Sequence, residues 1–132
     1  MSPEICENKA YTYASDIWSL GCLLYELCTL EHAFQADNLL GLVFKIVKDQ
    51  AEPIPSRYTP ELAGIVKTML SKDVAARATI AHLLRTPYII QAMQTFASSH
   101  GASAAPTAAL SVRKIVNKVI PEPQYQAPPQ TN

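Results

Sequence analysis

The sequence predicts an all-α domain, and three observations predict it. The stretch from Asp16 to Leu30 is apolar on nearly every face of a helix, and a helix of that kind belongs in the centre of a fold. Two further stretches, 37–48 and 60–70, repeat apolar residues at i, i+3 and i+4. No segment alternates apolar and polar residues for the length a strand requires.

Residues 2–8 suit one short helical turn, with Ser2 as its cap and Pro3 in the first-turn position. Tyr11, Thr12 and Tyr13 read as an extended link. The 15–30 helix follows, capped by Ser15 or Asp16, with Ile17, Trp18, Leu20, Leu23, Leu24, Tyr25, Leu27 and Leu30 along it. Glu26 is its only charge after Asp16, so it is expected to be buried all round.

The 37–48 helix takes Asp37 as cap and Leu40, Val43, Phe44 and Val47 as its inner stripe. Glu52-Pro53-Ile54-Pro55 ends it. Thr59-Pro60 opens the next helix as cap and first-turn proline, and its stripe is Leu62, Ile65, Val66, Met69 and Leu70. A loop about Lys72-Asp73 leads to a short helix from Thr79 to about Arg85. Thr86-Pro87 repeats the start signal for a final stripe of Ile89, Ile90, Met93 and Ala97.

From about Ser98 the composition shifts to Ala, Ser and Pro, which divides the chain into a domain at 1–97 and a tail at 98–132 that is expected to be disordered. Within the tail, Val112, Ile115, Val116 and Val119 keep helical spacing. They read either as a partner-binding helix or as a nascent helix in a disordered tail.

The chain has 132 residues, enough for one small core. Eleven basic residues balance eleven acidic ones, which leaves no electrostatic case for nucleic acid or an anionic membrane. The longest apolar run is far short of the roughly 20 residues of a membrane span. Met1-Ser2-Pro3-Glu4 has neither the basic patch nor the apolar run of a signal peptide, so the cytoplasm is the expected compartment. Cys6, Cys22 and Cys28 form no CxxC pair, and His32, His82 and His100 have no ligand spacing. Free thiols without a metal site are the expectation.

Ser2-Pro3-Glu4, then Asp16-Ile17-Trp18-Ser19-Leu20-Gly21, then Arg77 in "LSKDVAARATIAHLL" resemble, in order and spacing, the lower half of a eukaryotic protein kinase domain. The first looks like the A-P-E signature that ends the activation segment. "EHAFQADNLLGLVFKIVKDQAEPIP" and "YTPELAGIVKTMLSKD" are similar to the NIMA-related serine/threonine branch. The resemblance covers about residues 1–97 and implies the helical C-lobe portion of the kinase fold.

The resemblance also implies roles. Glu4 and Arg77 would form the ion pair that ties the end of the activation segment to the helices below. On spacing alone both would pass as surface charges. Asp16 would anchor the catalytic loop in a whole kinase and act as a plain helix cap in this chain. Trp18 would be a large anchor near the ion pair, and Gly21 would allow close helix approach. Phe34 and the 37–48 helix, with Phe44, correspond to a region that docks substrates and regulators in kinases, although an ordinary exposed helix fits as well. Val116 is the corresponding docking candidate in the tail. Two departures stand out: Ser2 replaces the A-P-E alanine, and Asp73-Val74-Ala75-Ala76-Arg77-Ala78 lacks both prolines of the usual D-P-x-x-R-P loop.

Phosphoryl transfer in this family uses a glycine-rich loop, a strand lysine paired with a helix glutamate, an H-R-D aspartate with its asparagine, and a D-F-G aspartate for magnesium. None of these motifs occurs in the sequence. No catalytic, cofactor or metal residue is therefore assigned, and ATP and Mg are implied only for a full-length parent that phosphorylates protein Ser/Thr. A start at the methionine before the A-P-E-like motif suits a partial gene model, an alternative start or a short isoform alike. The competing readings are a non-catalytic helical interaction module and a competitor of the full-length kinase. The expected partners are protein substrates or regulators of the parent, with cytoskeletal or ciliary association suggested by the family and no nucleic acid or membrane.

Overall fold

The computed structural model describes residues 1–99. Along them six helices follow in order: α1 (Pro3–Cys6), α2 (Tyr13–Thr29), α3 (Leu39–Lys48), α4 (Pro60–Met69), α5 (Ile80–Arg85) and α6 (Pro87–Ser99). No strand occurs among the described residues. They fall into two units, Met1–Leu83 and the part from Leu84 onward.

In the first unit α2 packs on α4, and α1 packs on α3. Trp18, Tyr25 and Cys28 from α2 meet Val66 and Leu70 from the α4 region, with Ile46 and Ile54 completing the buried cluster. Helix α4 follows its sequence stripe: Ile65, Val66, Met69 and Leu70 are buried, and Thr59 Oγ1 accepts the Leu62 N–H as the cap. Pro60 sits at N1, where no N–H is needed.

Helix α2 begins earlier than expected. Thr12 is its cap, and Tyr13 is helical rather than part of an extended link. Thr12 Oγ1 accepts from Ala14 N–H, and Ser15 Oγ accepts the Thr12 N–H in return. Ser15 is therefore the N3 member of a reciprocal capping pair, and neither Ser15 nor Asp16 is the cap. At the other end Leu30 adopts φ 62°, and its N–H closes onto Glu26 O, a left-handed stop made without glycine.

Nor is α2 buried all round. Leu20, Leu23, Leu27 and Leu30 are 44%, 53%, 65% and 84% exposed. Their spacings of three and four residues place them on one side of the helix, opposite Trp18, Gly21, Tyr25 and Cys28. The core supplied by α4 and Ile46 covers only the second set.

Helix α3 also departs from expectation. Its cap is Asn38, whose Oδ1 accepts the Gly41 N–H at 2.8 Å, and not Asp37. Ile46 is buried and Leu42 packs on the core, while Leu40 is 82% and Phe44 60% exposed. The inner face is the Leu42–Ile46 side, one step round from the Leu40–Phe44 side. Apolar residues crowd the helix on most sides, so the period alone does not choose the face.

In the second unit α6 carries Ile89, Ile90, Met93 and Ala97 half-buried and Phe96 exposed. Ser98 and Ser99, placed at the start of the tail by composition, are the last residues of α6; the rest of the tail, with the 110–120 segment and Val116, lies outside the described residues.

Candidate functional site

The site grows from α1 and the loop before α5. Pro3 starts the single turn that orients Glu4 inward, and Glu4 is 5% exposed. The turn Asp73–Arg77 is set by Asp73, whose Oδ1 accepts from Ala75 N–H and whose carbonyl accepts from Arg77 N–H. This replaces the stiffness of the two missing prolines with hydrogen bonds and delivers Arg77 to the same place.

Arg77 donates from Nη1 to Glu4 Oε1 at 2.8 Å and from Nη2 to Glu4 Oε2 at 2.9 Å. Its Nε donates to Ser71 O, and Nη1 also donates to Ala14 O. Ser15 Oγ donates to Glu4 Oε1 at 2.8 Å. The bidentate pair is charge-assisted and almost fully dry, with the Arg77 side chain 0% exposed. Arg77 beside it lowers the Glu4 carboxyl to about 2, against the opposing effect of burial. One arginine thus latches together α1, the first turn of α2 and the end of the α4 segment.

Trp18, 1% exposed, lies beside this latch, with the Arg77 guanidinium 5.1 Å from its ring centroid. Phe34 stacks on Trp18 at 5.6 Å with an interplanar angle of 10°. Phe34 is therefore half-buried in the packing and spends a ring face on Trp18.

Lys72 carries a role that the sequence pattern does not announce. Its Nζ donates to Ile46 O at 2.6 Å and sits 4.0 Å from the Phe34 ring and 4.8 Å from the Trp18 ring. A cation at the carbonyl end of α3 is favoured by the helix dipole. Burial nevertheless lowers the ammonium to about 8. The only trace of this in the sequence is a lysine five residues before the latch arginine, which is too common an arrangement to single out.

The other expected residues are dispersed. Asp16 is exposed and accepts from the Tyr11 hydroxyl. Gly21 is buried, and a Cβ built there would lie 2.9 Å from Met69 Cβ, so α2 and α4 touch closely at this residue. Phe44 stands on the exposed side of α3, remote in sequence from the latch. Among the described residues no three His, Cys, Asp or Glu side chains converge as a metal would need, and none of the family's nucleotide motifs is present. The arrangement can hold helices in register. No helix among the described residues is long and apolar enough to cross a membrane.

Comparison with known proteins gives the family of the chain. The protein kinase domain family matches residues 1–89. The mouse (Mus musculus) serine/threonine-protein kinase Nek4 is 46% identical over 89 residues, covering 67% of this chain and 11% of its own length. A probable serine/threonine-protein kinase, nek3 of Dictyostelium discoideum, is 49% identical over 92 residues, 69% of this chain and 8% of its own. The human (Homo sapiens) serine/threonine-protein kinase Nek11 is 42% identical over 94 residues, 71% of this chain and 15% of its own. The chain thus spans less than a fifth of each of these relatives.

Proposed function

The chain belongs to the protein kinase family, in its NIMA-related serine/threonine branch, and from that premise we propose that it supplies the supporting helices of a kinase large lobe without the catalytic parts. The single observation that carries this reading is the dry, bidentate Glu4–Arg77 pair. It clamps the A-P-E-like turn to the helices beneath, where an activation segment would end. The parent enzyme would move the γ-phosphate of ATP onto protein Ser/Thr hydroxyls, with positioning and charge neutralisation supplied by motifs this sequence lacks.

The test is direct. The purified chain, incubated with MgATP and a generic protein substrate, should bind no nucleotide and transfer no phosphate. Measurable transfer that survives removal of contaminating kinases would overturn the reading.

A second reading, an interaction module or competitor, is supported by the exposed α3 residues Leu39, Leu40 and Phe44 at 67%, 82% and 60%. Docking under this reading uses Phe44 rather than Phe34, whose ring is engaged by Trp18. Partners would be protein substrates or regulators of the parent kinase. Association with microtubules or cilia rests on family resemblance alone. Excess chain added to an active NIMA-related kinase should slow phosphorylation of a protein substrate, and Phe44→Asp should relieve that effect. Unchanged rates with the wild-type chain would exclude competition.

A further inference from the structure

Lys72 is held without a carboxylate partner. Its Nζ donates to Ile46 O at 2.6 Å and lies 4.0 and 4.8 Å from the Phe34 and Trp18 ring centroids. Among the described residues no acid forms a salt bridge with it. Lys9, Lys45, Lys48 and Lys67 are exposed, whereas Lys72 is half-buried.

The geometry points to Lys72 as a modification site: its Nζ takes a small acyl group from a thioester, and acylation releases the clasp that Lys72 makes on the end of α3. Two conditions activate a lysine amine, desolvation and a neighbouring cation, and both are met here. The ring faces and the end of α3 desolvate Nζ. The Arg77 guanidinium stands 5.1 Å from the same Trp18 ring. The other charged or titratable groups that face Lys72 are Asp49 just past α3, Cys22 on α2 and Cys6 on α1, and all three favour the ammonium. Desolvation outweighs them and brings Lys72 down to about 8.

The step balances with the thioester as the only co-reactant. Unprotonated Nζ adds to the thioester carbonyl, a C–N bond forms and the C–S bond breaks. The leaving thiolate takes up the proton that the nitrogen sheds. The product amide keeps one N–H for Ile46 O but carries no charge. It loses the attraction to both rings and to the carbonyl end of α3.

The probe is acetyl coenzyme A, incubated with the full chain, with acetylation at each lysine read by peptide mass spectrometry. Each unit of lowering frees about ten times more amine, and the weaker basicity returns part of that gain. At about pH 7.4 Lys72 should therefore acetylate roughly tenfold faster than exposed Lys45, Lys48 and Lys67, and its rate should level off above about pH 8. Concentrated urea should abolish the difference. Acetylation should speed amide exchange in the last turn of α3, and the same treatment of Lys72→Arg should leave that exchange unchanged. If Lys72 reacts no faster than the exposed lysines in the folded chain, the site is overturned. If Lys72 acetylates and exchange in α3 does not change, or changes equally in Lys72→Arg, the release of α3 is overturned.

Discussion

Glu4 and Arg77 stand 73 residues apart in sequence and share two parallel hydrogen bonds of 2.8 and 2.9 Å in a site closed to water. Their pairing makes stability pH-dependent. Glu4 is lowered from 4.5 to about 2 in the fold, so the folded state binds its proton less readily than the unfolded state. The stabilisation is present above about pH 4.5 and is lost as pH falls toward 2. Its size is about 3 kcal/mol, since a tenfold change in proton affinity is worth about 1.4 kcal/mol. Denaturant melts between pH 7 and 2 should show this loss in the wild type and a flatter profile in Glu4→Gln.

Two helical glycines separate close packing from open space. Gly21→Ala drives a methyl to 2.9 Å from Met69 Cβ, at the root of a side chain rather than its tip. It should cost about 1–3 kcal/mol. Gly64→Ala meets nothing and should gain up to about 1 kcal/mol from helix propensity. Urea midpoints of the two variants should move in opposite directions.

Lys72 has the same sign of pH dependence as Glu4, in an alkaline window, although here the charged form is the one the fold disfavours. Burial lowers it from 10.5 to about 8, so the unfolded state holds the proton more strongly between those values. Stability should therefore rise as pH goes from about 8 to 10.5. Lys72→Met should flatten that rise. It should also speed amide exchange in the last turn of α3, which loses the Nζ bond to Ile46 O. An unchanged rise in Lys72→Met would remove Lys72 as its source.

The exposed leucines of α2 govern solution behaviour. A contiguous apolar patch of this kind favours association. Leu23→Lys and Leu27→Lys, at positions 53% and 65% exposed, should lower light scattering at high concentration and leave stability within about 0.5 kcal/mol of the wild type. Scattering equal to the wild type in both variants would place the association elsewhere.

Much of this is legible in the residues. Proline after threonine marks the start of α4, and a clean 3.6-residue stripe fixes its buried face, because that helix has one apolar side only. The pattern of α3 misleads because apolar residues crowd most of its surface, and only the partner elements choose between Leu40–Phe44 and Leu42–Ile46. The same crowding on α2 suggests full burial, when covering depends on neighbours and not on the helix itself. The latch is visible through the order of the A-P-E-like and arginine motifs; composition would leave both charges at the surface. Lys72 is invisible in the sequence, because its partners are a backbone carbonyl and two rings brought together only by folding.

The central claim, that Glu4 and Arg77 act as one structural unit, is tested most directly by a double-mutant cycle of Glu4→Gln and Arg77→Met in urea unfolding. Each single change strands the other partner and should cost about 3–5 kcal/mol. The double variant should cost no more than either single one, giving a coupling of at least about 2 kcal/mol. Additive losses, with coupling near zero, would contradict the account.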